Sequence, residues 1–517
     1  MATSFALDSK PVPGPTPWFP GTSFLKFRRD PLAFFTETHR TYGDIARITF
    51  GPQQLFLVSH PDWIEDVLVN SAKKFSKGVA LQRAKRLLGE GLLTSEGQAH
   101  LKQRRTIQPL FHRQQVQRFA DAMVTHSLRW RESIEPNATI DITSEMGALT
   151  LAIVGETLFS SNVQADADEV REALGEAVSS FAYAFVPFFN VLEKLPLPVF
   201  ARVRRARERL DRVIHRVIAA RRDDADKPST FAPGASADKE GLSPHGDLVA
   251  MLLAARDPEN PNAAGMSDEQ IRDEAMTIFL AGHETTANAM AWTWHLLGSA
   301  PEAEARLHEE LDRVLGTDKP KGLSPHEGLS PHEGLSPRIP TVEDVPKLEW
   351  TRAIVAESMR LFPPAWTMGR RAIEPHTIGG HQILKGDLVI MSQYVVHRDP
   401  RWWPAPDQFT PDRWISKSAS SVSSAAPLNS APSAAPFDSA DSQVGVAQGR
   451  RPKYAYFPFG GGSRICIGES FAWTEAILLL ATIAQRWKFS PEGPPPVPEP
   501  RITLRPKGLR MRATRRV

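Results

Sequence analysis

Cysteine is almost absent from this chain, since Cys466 carries the only thiol among its 517 residues. A single cysteine excludes an intramolecular disulfide, which is typical of a reducing compartment, so we expect a cytoplasmic protein. Long apolar runs are also lacking, and stretches such as Ala476 to Ala481 fall far short of the ~20 residues that span a bilayer. The first residues contain neither a basic segment nor an apolar core, so we expect no secretory signal.

An excess of charge of either sign is missing as well. The 62 basic residues nearly balance the 59 acidic ones and leave a net charge of +3. This balance gives no indication of nucleic-acid binding, which depends on a strongly basic surface. Hydrophobic residues make up 41% of the chain, enough for one large domain or two to three ordinary ones.

Apolar spacing predicts a mainly α protein with small peripheral β-sheets. Residues Tyr42 to Ser59 alternate around Gly51-Pro52 and predict a β-hairpin, helical patterns dominate from there to about Arg360, and Arg371 to Gln393 is again β-rich. Segments 226–246, 322–338 and 417–449 are rich in Ser, Pro or Gly, or repeat the sequence Gly-Leu-Ser-Pro-His-Glu. We predict them to be mobile or low-complexity loops within a single domain, 1–517.

The lone cysteine lies in a glycine-rich loop, Phe459-Gly-Gly-Gly-Ser-Arg-Ile-Cys466-Ile-Gly468, just before an apolar segment with helical spacing. At a helix N-terminus, backbone N–H groups and the helix dipole stabilise an anionic sulfur. The glycines let the backbone turn tightly near that sulfur. The pattern favours a metal-ligand thiolate over an inert buried cysteine.

This loop resembles the haem-ligand loop of the cytochrome P-450 family, Phe-x-x-Gly-x-Arg-x-Cys-x-Gly, at every fixed position. The resemblance implies the family's triangular-prism fold and a haem b bound by Cys466, with contacts from Phe459 and Gly460. It further implies a haem-thiolate monooxygenase that uses dioxygen to hydroxylate a C–H bond.

A second motif lies in the segment from Asp268 to Leu297, which reads as one long helix whose start has a capping box of Ser267 and Gln270. Its apolar middle contains Ala281-Gly-His-Glu-Thr-Thr286, and a carboxylate and two hydroxyls are costly in such a helix unless they have a use. The motif resembles the family's central helix. That implies that Gly282 lets a ligand approach, that Ala281 faces the substrate, and that Glu284 and Thr285 relay protons to dioxygen at the haem.

A third motif, Glu357-Ser-Met-Arg360, places opposite charges at i and i+3 of one helix. Alone it would suggest a surface ion pair. Followed by Pro411-Asp-Arg413-Trp, it resembles the family's Glu–Arg–Arg network, which holds the fold around the haem. The family's usual Pro-Glu-Arg-Phe appears here with conservative replacements.

Basic residues at three places match family positions that bind the haem propionates, and arginine forks suit carboxylates. His100 and Arg104 lie at i and i+4 of a predicted helix, where the alternative is a solvated basic face. Arg370 is favoured over the adjacent Arg371, and Arg464 lies in the ligand loop.

The sequence has no flavin, nicotinamide or iron–sulfur motif, so we expect a separate electron donor of the ferredoxin or flavodoxin type. A basic face could receive it, formed by Lys102, Arg104, Arg105, Arg401, Arg450, Arg451 and Lys453. The alternative is ordinary solvated charge. We expect a monomer with no membrane span, similar to soluble bacterial family members but with microsomal and fatty-acid-hydroxylase-like motifs.

The sequence leaves the substrate open. Phe185, in an apolar stretch, and Trp366, after a Pro-Pro turn, fall where the family caps its pocket, which favours a lipophilic compound such as a fatty acid or terpenoid. Core packing explains the same residues. A peroxide-driven enzyme of the same fold, a haem sensor and a structural helical protein are the rival hypotheses, and the Glu284–Thr285 pair argues against the first two.

Overall fold

The computed structural model describes residues 11–16, 19, 21–51, 53–159, 198–226, 247–262, 264–316, 337–415 and 451–516. Phe185 and segment 417–449 lie outside these residues, as do nearly all of 226–246 and 322–338. The predictions for them therefore stay predictions.

Helices dominate the described chain, as the apolar spacing predicts. They are α1 (Thr22–Arg29), α2 (Pro31–Tyr42), α3 (Pro61–Glu65), α4 (Val79–Leu88), α5 (Gly97–Ile107), α6 (Arg113–Ser133), α7 (Ile142–Phe159), α8 (Pro198–Asp226), α9 (Leu248–Ala254), α10 (Asp268–Gly298), α11 (Pro301–Leu315), α12 (Glu349–Leu361), α13 (Gln393–Val396) and α14 (Glu469–Ala484).

The strands form four small sheets at the periphery. They are β1 (Ile45–Phe50), β2 (Gln53–Val58), β3 (Phe75–Lys77), β4 (Thr139–Asp141), β5 (Met368–Ala372), β6 (His376–Ile378), β7 (His381–Ile383), β8 (Leu388–Met391), β9 (Trp487–Pro491), β10 (Val497–Pro500), β11 (Leu504–Lys507) and β12 (Arg510–Arg515). The largest sheet has the order β1-β2-β8-β5-β3 and contains the predicted hairpin, whose strands pair antiparallel from Ile45–Val58 to Phe50–Gln53.

Helix α10 is the longest helix among the described residues, and its start and length match the prediction. Ser267 accepts a hydrogen bond from the Gln270 backbone N–H while the Gln270 side chain returns to Ser267 N–H, which completes the capping box. Most of its side chains are buried, because α7, α12 and α14 pack around it. Because most of this helix is buried, a polar residue within it needs a specific partner or faces a cavity.

A buried ion pair on α12 organises the segment that leads to the cysteine loop. Glu357 and Arg360 have no exposed side-chain surface and form two hydrogen bonds of 2.9 Å. Arg360 also donates to three backbone carbonyls, those of His397, Pro406 and Gln408.

The second half of this network consists of further hydrogen bonds that the Glu357 carboxylate accepts. Glu357 accepts from Thr410 N–H at 2.9 Å, from Arg413 Nε at 3.2 Å and from Trp414 Nε1 at 2.9 Å. The predicted Glu–Arg–Arg network is therefore observed in full. Because its partners lie between residues 397 and 414, it fixes the connection between the large sheet and the cysteine loop.

We expect Glu357→Ala and Arg360→Ala each to destabilise the protein by about 3–5 kcal/mol. The first leaves Arg360 buried without a carboxylate, and the second removes both hydrogen bonds that Arg360 donates to the buried Glu357. Chemical denaturation measures the loss, with haem content as a second readout. The control is Lys347→Ala, which breaks an i,i+3 pair with Asp344 whose lysine is largely exposed. Wild-type stability in either buried-site variant would contradict the structural role.

Candidate active site

A cavity of about 390 Å³ lies between α10 and the cysteine loop. Its α10 wall includes Ala281, Gly282 and Thr285, and its opposite wall includes Cys466 and Phe459. The structure thus brings two distant motifs together across one space. The further predicted residues on this lining are His100, Arg104, Gly460 and Arg464.

Cys466 is accessible from the cavity although it lies deep in the protein. Its N–H donates to Phe459 O at 3.0 Å, which closes the loop. Burial raises the pKa of the thiol to about 11, and the backbone N–H of Gly468 offsets only part of that rise. The N–H group thus favours the thiolate, as predicted for a helix terminus, but desolvation outweighs it. A bound metal has to displace the proton.

Two glycines of the motifs have different uses. Gly460 adopts a φ of +78° beside Met368, a conformation that other residues rarely take. Gly282 lines the cavity, yet a Cβ at its position would stand 3.2 Å from Val154 Cγ2 on α7. Its small size therefore serves the close approach of α7 and α10, in addition to the predicted room for a ligand.

One edge of the cavity, which we call the basic edge, concentrates positive groups around a single carboxylate. Its members are Lys77, His100, Arg370 and Arg464, with Glu96 as the carboxylate. Arg464 pairs with Glu96 at 2.9 Å, and Lys77 Nζ donates to two carbonyl oxygens at 2.7 Å. Burial first and the neighbouring cations next lower the pKa of Lys77 to about 7 and that of His100 to about 4.

Arg370 belongs to this edge but does not line the cavity. It is 6% exposed, and its Nε has no hydrogen-bond partner among the described residues. Burial and the charge of Arg464 lower its pKa to about 10. Its Nη1 donates to Gly369 O at 3.1 Å. A buried Nε without a partner, beside the charge of Arg464, fits a ligand that carries carboxylates, as haem does.

Arg104 makes a contact that the sequence did not predict. Its guanidinium donates to Ile465 O at 2.7 Å, in the residue before the cysteine, and its charge faces Cys466. This contact ties α5 to the loop, and the contact of Arg104 with a haem propionate stays a prediction.

Glu284 and Thr285 point in different directions. Thr285 lines the cavity and its hydroxyl donates to Ala281 O at 2.6 Å, within the same helix. Glu284 does not line the cavity, and its Oε1 accepts from Thr503 Oγ1 at 2.8 Å. Burial raises the pKa of Glu284 above its usual value. The carboxyl therefore sits behind the hydroxyl, on the side of the β10–β11 hairpin.

The prediction that Trp366 lines the substrate pocket is wrong. Its indole donates to Arg501 O at 3.0 Å and its ring packs against Phe35, with 5% of the residue exposed. The preceding residue, Ala365, lines the cavity instead, together with Pro364. A Pro-Pro turn fixes the chain direction, but it does not determine which following side chain faces inward.

Two arginines of the predicted basic face are paired with carboxylates within the protein. Arg105 pairs with Asp257 and Glu259, Arg401 pairs with Asp44 and Asp399, and Arg451 stacks 3.7 Å over Trp403. Lys102 and Lys453 are exposed, whereas Arg450 lies outside the described residues. The use of this face by an electron donor stays a prediction.

Several polar residues of the site were missed by the sequence analysis. Lys77 and Glu274 line the cavity, and Glu274 accepts from Leu92 N–H at 2.8 Å while burial raises its pKa to about 8. Glu475 of α14 is fully buried near Thr286, burial raises its pKa to about 8, and neither of its oxygens reaches hydrogen-bonding geometry with a described residue. A carboxylate inside an apolar helical run was the available signal for both.

Comparisons with known proteins agree with this arrangement. A model of the family described as Cytochrome P450 matches residues 11–513. Cyclooctatin synthase of Streptomyces melanosporofaciens is 34% identical over 94% of this chain and 92% of its own length, and pentalenene oxygenase of Streptomyces avermitilis is 30% identical over 98% and 97%. Cyclooctat-9-en-7-ol 5-monooxygenase, also from S. melanosporofaciens, is 33% identical over 93% and 92%.

A solved structure shows the same fold. The crystal structure of the cytochrome P450DA heme domain superposes with a TM-score of 0.76 over 98% of both chains, at 24% sequence identity. With the family model spanning nearly its full length, this chain belongs to the cytochrome P450 family. It is a haem-thiolate monooxygenase, and the mainly α architecture predicted from its sequence is confirmed. In the part of the chain that the structure describes, no helix is long and apolar enough to cross a membrane.

We expect Cys466→Ser to lower haem content and to abolish the red-shifted Soret band of the ferrous carbonyl complex, because serine is a much weaker anionic donor. Absorption spectra and a haem assay measure both. Ser463→Ala, in the same loop, is the matched control. Retention of that band in Cys466→Ser would overturn the ligand assignment.

The lowered pKa of Lys77 predicts a pH-dependent stability of the haem-free protein. Between about pH 7 and its usual pKa of 10.5, the unfolded chain binds more protons at this lysine than the folded one. The contribution of Lys77 to stability therefore rises with pH across that window. We expect the stability gained by Lys77→Met over the wild type to shrink from pH 7 to pH 10 in urea denaturation. Parallel curves, or an equal change in the exposed-site control Lys102→Met, would contradict this.

Proposed function

We propose that this enzyme hydroxylates a terpenoid hydrocarbon or terpenoid alcohol, with electrons from a separate protein. The observation that carries the proposal is the apolar cavity with Cys466 on one wall and Thr285 on the other. The named relatives support the substrate class, because one is a pentalenene oxygenase and another acts on cyclooctat-9-en-7-ol.

The residues of the cavity lining and of the basic edge fit a haem b held between the cysteine loop and α10. Cys466 would bind the iron, Phe459 and Gly460 would lie against the ring, and the basic edge would receive the propionates. When bound, the haem supplies the activation of dioxygen for insertion into a C–H bond. Glu96 would then share Arg464 with the propionates, and the orphaned Nε of Arg370 would gain a partner.

Thr285 and Glu284 would manage protons at the other wall. The Thr285 hydroxyl now donates to Ala281 O within the same helix. During the reaction it would release that carbonyl and donate into the cavity instead. Glu284, whose raised pKa brings protonation nearer to neutral pH, would resupply that proton from the protein side. Neither residue needs to contact the substrate.

The cavity lining suits a bulky hydrocarbon skeleton. Ile278, Ala281 and Ala289 of α10 and Val154 of α7 present apolar surface, and exclusion of water from such walls favours a substrate of the same character. The Lys and Arg side chains on the described lining all come from outside α7 and α10, which favours a compact ring system against these helices over a molecule with an anionic end.

Electron delivery requires a partner of the ferredoxin or flavodoxin type. The exposed Lys102 on α5 is one basic contact available to it, on the helix that holds the cysteine loop through Arg104. We propose that this partner approaches from the α5 side, because Arg104 of α5 contacts the residue next to Cys466.

A panel of compounds tests the substrate class. We expect cyclic terpene hydrocarbons and terpene alcohols of diterpene and sesquiterpene size to give substrate-type Soret shifts, and fatty acids to give much weaker ones. Hydroxylated products are then identified after turnover with a surrogate ferredoxin and reductase. Tight fatty-acid binding with no response to terpenoids would reject the proposed class.

We expect Thr285→Ala to separate substrate binding from productive oxygen use. Without the hydroxyl, NADPH oxidation should continue while product per NADPH falls and hydrogen peroxide accumulates, with the substrate-induced shift preserved. Thr293→Ala is the matched control, because Thr293 makes the same bond to the carbonyl four residues back, at 2.7 Å, and does not line the cavity. An unchanged ratio would favour the peroxide-driven alternative.

A further inference from the structure

Three residues on one face of α10 are fastened to the segment that begins β11. Glu284, Asn288 and Trp292 are spaced at i, i+4 and i+8, so they stand one above another on the helix. Asn288 Nδ2 donates to Thr503 Oγ1 at 2.9 Å, and Trp292 Nε1 donates to Leu504 O at 3.0 Å. The third member, Glu284, accepts from the same Thr503 hydroxyl.

The hydrogen bonds among Asn288, Thr503 and Glu284 run in one direction. An amide nitrogen has only hydrogens to give, so Thr503 Oγ1 is the acceptor for Asn288. The hydroxyl hydrogen is then left for Glu284 Oε1, and the two contacts form a directed series from Asn288 through Thr503 to Glu284. Thr503 is 4% exposed and Asn288 is 3% exposed, so water does not replace either contact.

A hydroxyl suits this place because it accepts from Asn288 and donates to Glu284 Oε1 at the same time, whereas an N–H group can only donate. Because Oε1 accepts in both charge states, the proton of the neutral acid belongs on Oε2. Glu284 Oε2, in contrast, makes no hydrogen bond within the described ranges of the chain. One oxygen is therefore held and the other is left for exchange.

We propose that Thr503 is a positioning residue for the monooxygenase reaction, which holds Glu284 Oε1 through its proton cycle so that Oε2 carries the proton. The inference rests on the proposed proton-handling role of Glu284. In each cycle the Oε2–H bond breaks as the proton leaves toward Thr285, and a new Oε2–H bond forms with a proton from solvent. No electrons change hands in this step.

The segment around Thr503 is built to keep its place. Leu504 N–H donates to Pro364 O at 2.9 Å, and Arg501 N–H donates to Thr503 O at 3.0 Å. The charged groups that face Glu284 are Arg501 and Arg505, on either side of Thr503. The Thr503 hydroxyl and both arginines favour the ionised carboxylate, and the hydroxyl is the group that holds Oε1 by a hydrogen bond.

The test compares Thr503→Val with Thr503→Ser in the haem-loaded enzyme and follows two readouts. Product per NADPH should fall about fivefold in Thr503→Val, as expected for the loss of one hydrogen bond, and should recover in Thr503→Ser. The pKa of the Glu284 carboxyl, followed by its infrared C=O band and identified by its loss in Glu284→Gln, should rise in Thr503→Val only. Substrate-induced spectral shifts should be preserved in both.

Controls separate this inference from the proposed function. Thr514→Val, the same substitution in β12, should leave both readouts at the wild-type level. Asn288→Ala removes the anchor but keeps the hydroxyl, so it should shift both readouts in the same direction by less, and it serves if Thr503→Val does not fold.

The outcomes are distinct. If Glu284→Gln retains full coupling, the proton role of Glu284 fails and takes this inference with it. If Glu284→Gln uncouples while folded Thr503→Val or Asn288→Ala keeps wild-type coupling and carboxyl pKa, only the role of Thr503 is overturned. Failure of Thr503→Ser to restore either readout would overturn it as well, since the hydroxyl would then not be what matters.

Discussion

Burial of the Glu357–Arg360 pair is the constraint on which the site depends. Two charges without solvent contact are tolerable only when all their hydrogen-bonding capacity is used, and here the required partners come from the backbone of residues 397–414. A charge pair on α12 thereby dictates the path of an irregular segment that has few regular hydrogen bonds of its own. The same segment contacts the chain just before the cysteine loop, because Trp403 Nε1 donates to Ala455 O and Phe457 N–H donates to His397 Nε2.

The ionisable groups around the cavity, in contrast, are not fully balanced by partners within the protein. The basic edge has more cations than carboxylates, whereas the carboxyl groups of Glu274 and Glu475 lie where burial favours their neutral form. Both imbalances are costly in a protein without a ligand. Anionic groups at the basic edge, such as the haem propionates proposed above, would relieve that repulsion between cations. The relief would contribute to the binding free energy of the cofactor.

Much of the fold and the main motifs could be predicted from the sequence because they depend on local order. The apolar spacing of 268–297, the capping box at Ser267 and the hairpin around Gly51 are each contained in a few consecutive residues, and the Cys466 loop matches a family pattern throughout. Trp366 was misassigned because the sequence does not show which side of an irregular turn meets the cavity. The contact of Arg104 with Ile465 and the pairing of Arg105 with Asp257 could not be predicted, because these partners are far away in sequence.

The close approach of α7 to α10 restricts how the cavity can change its shape during evolution. At Gly282 an added methyl group would press on Val154, so any larger residue there would push two core helices apart. Ala281 and Ala289 line the same cavity, and neither is the glycine at this helix contact. Side chains can grow or shrink at these two alanines at the expense of cavity space alone. Substitutions at Ala281 and Ala289 can therefore adapt the cavity to differently shaped ring systems at low structural cost, while Gly282 stays unchanged.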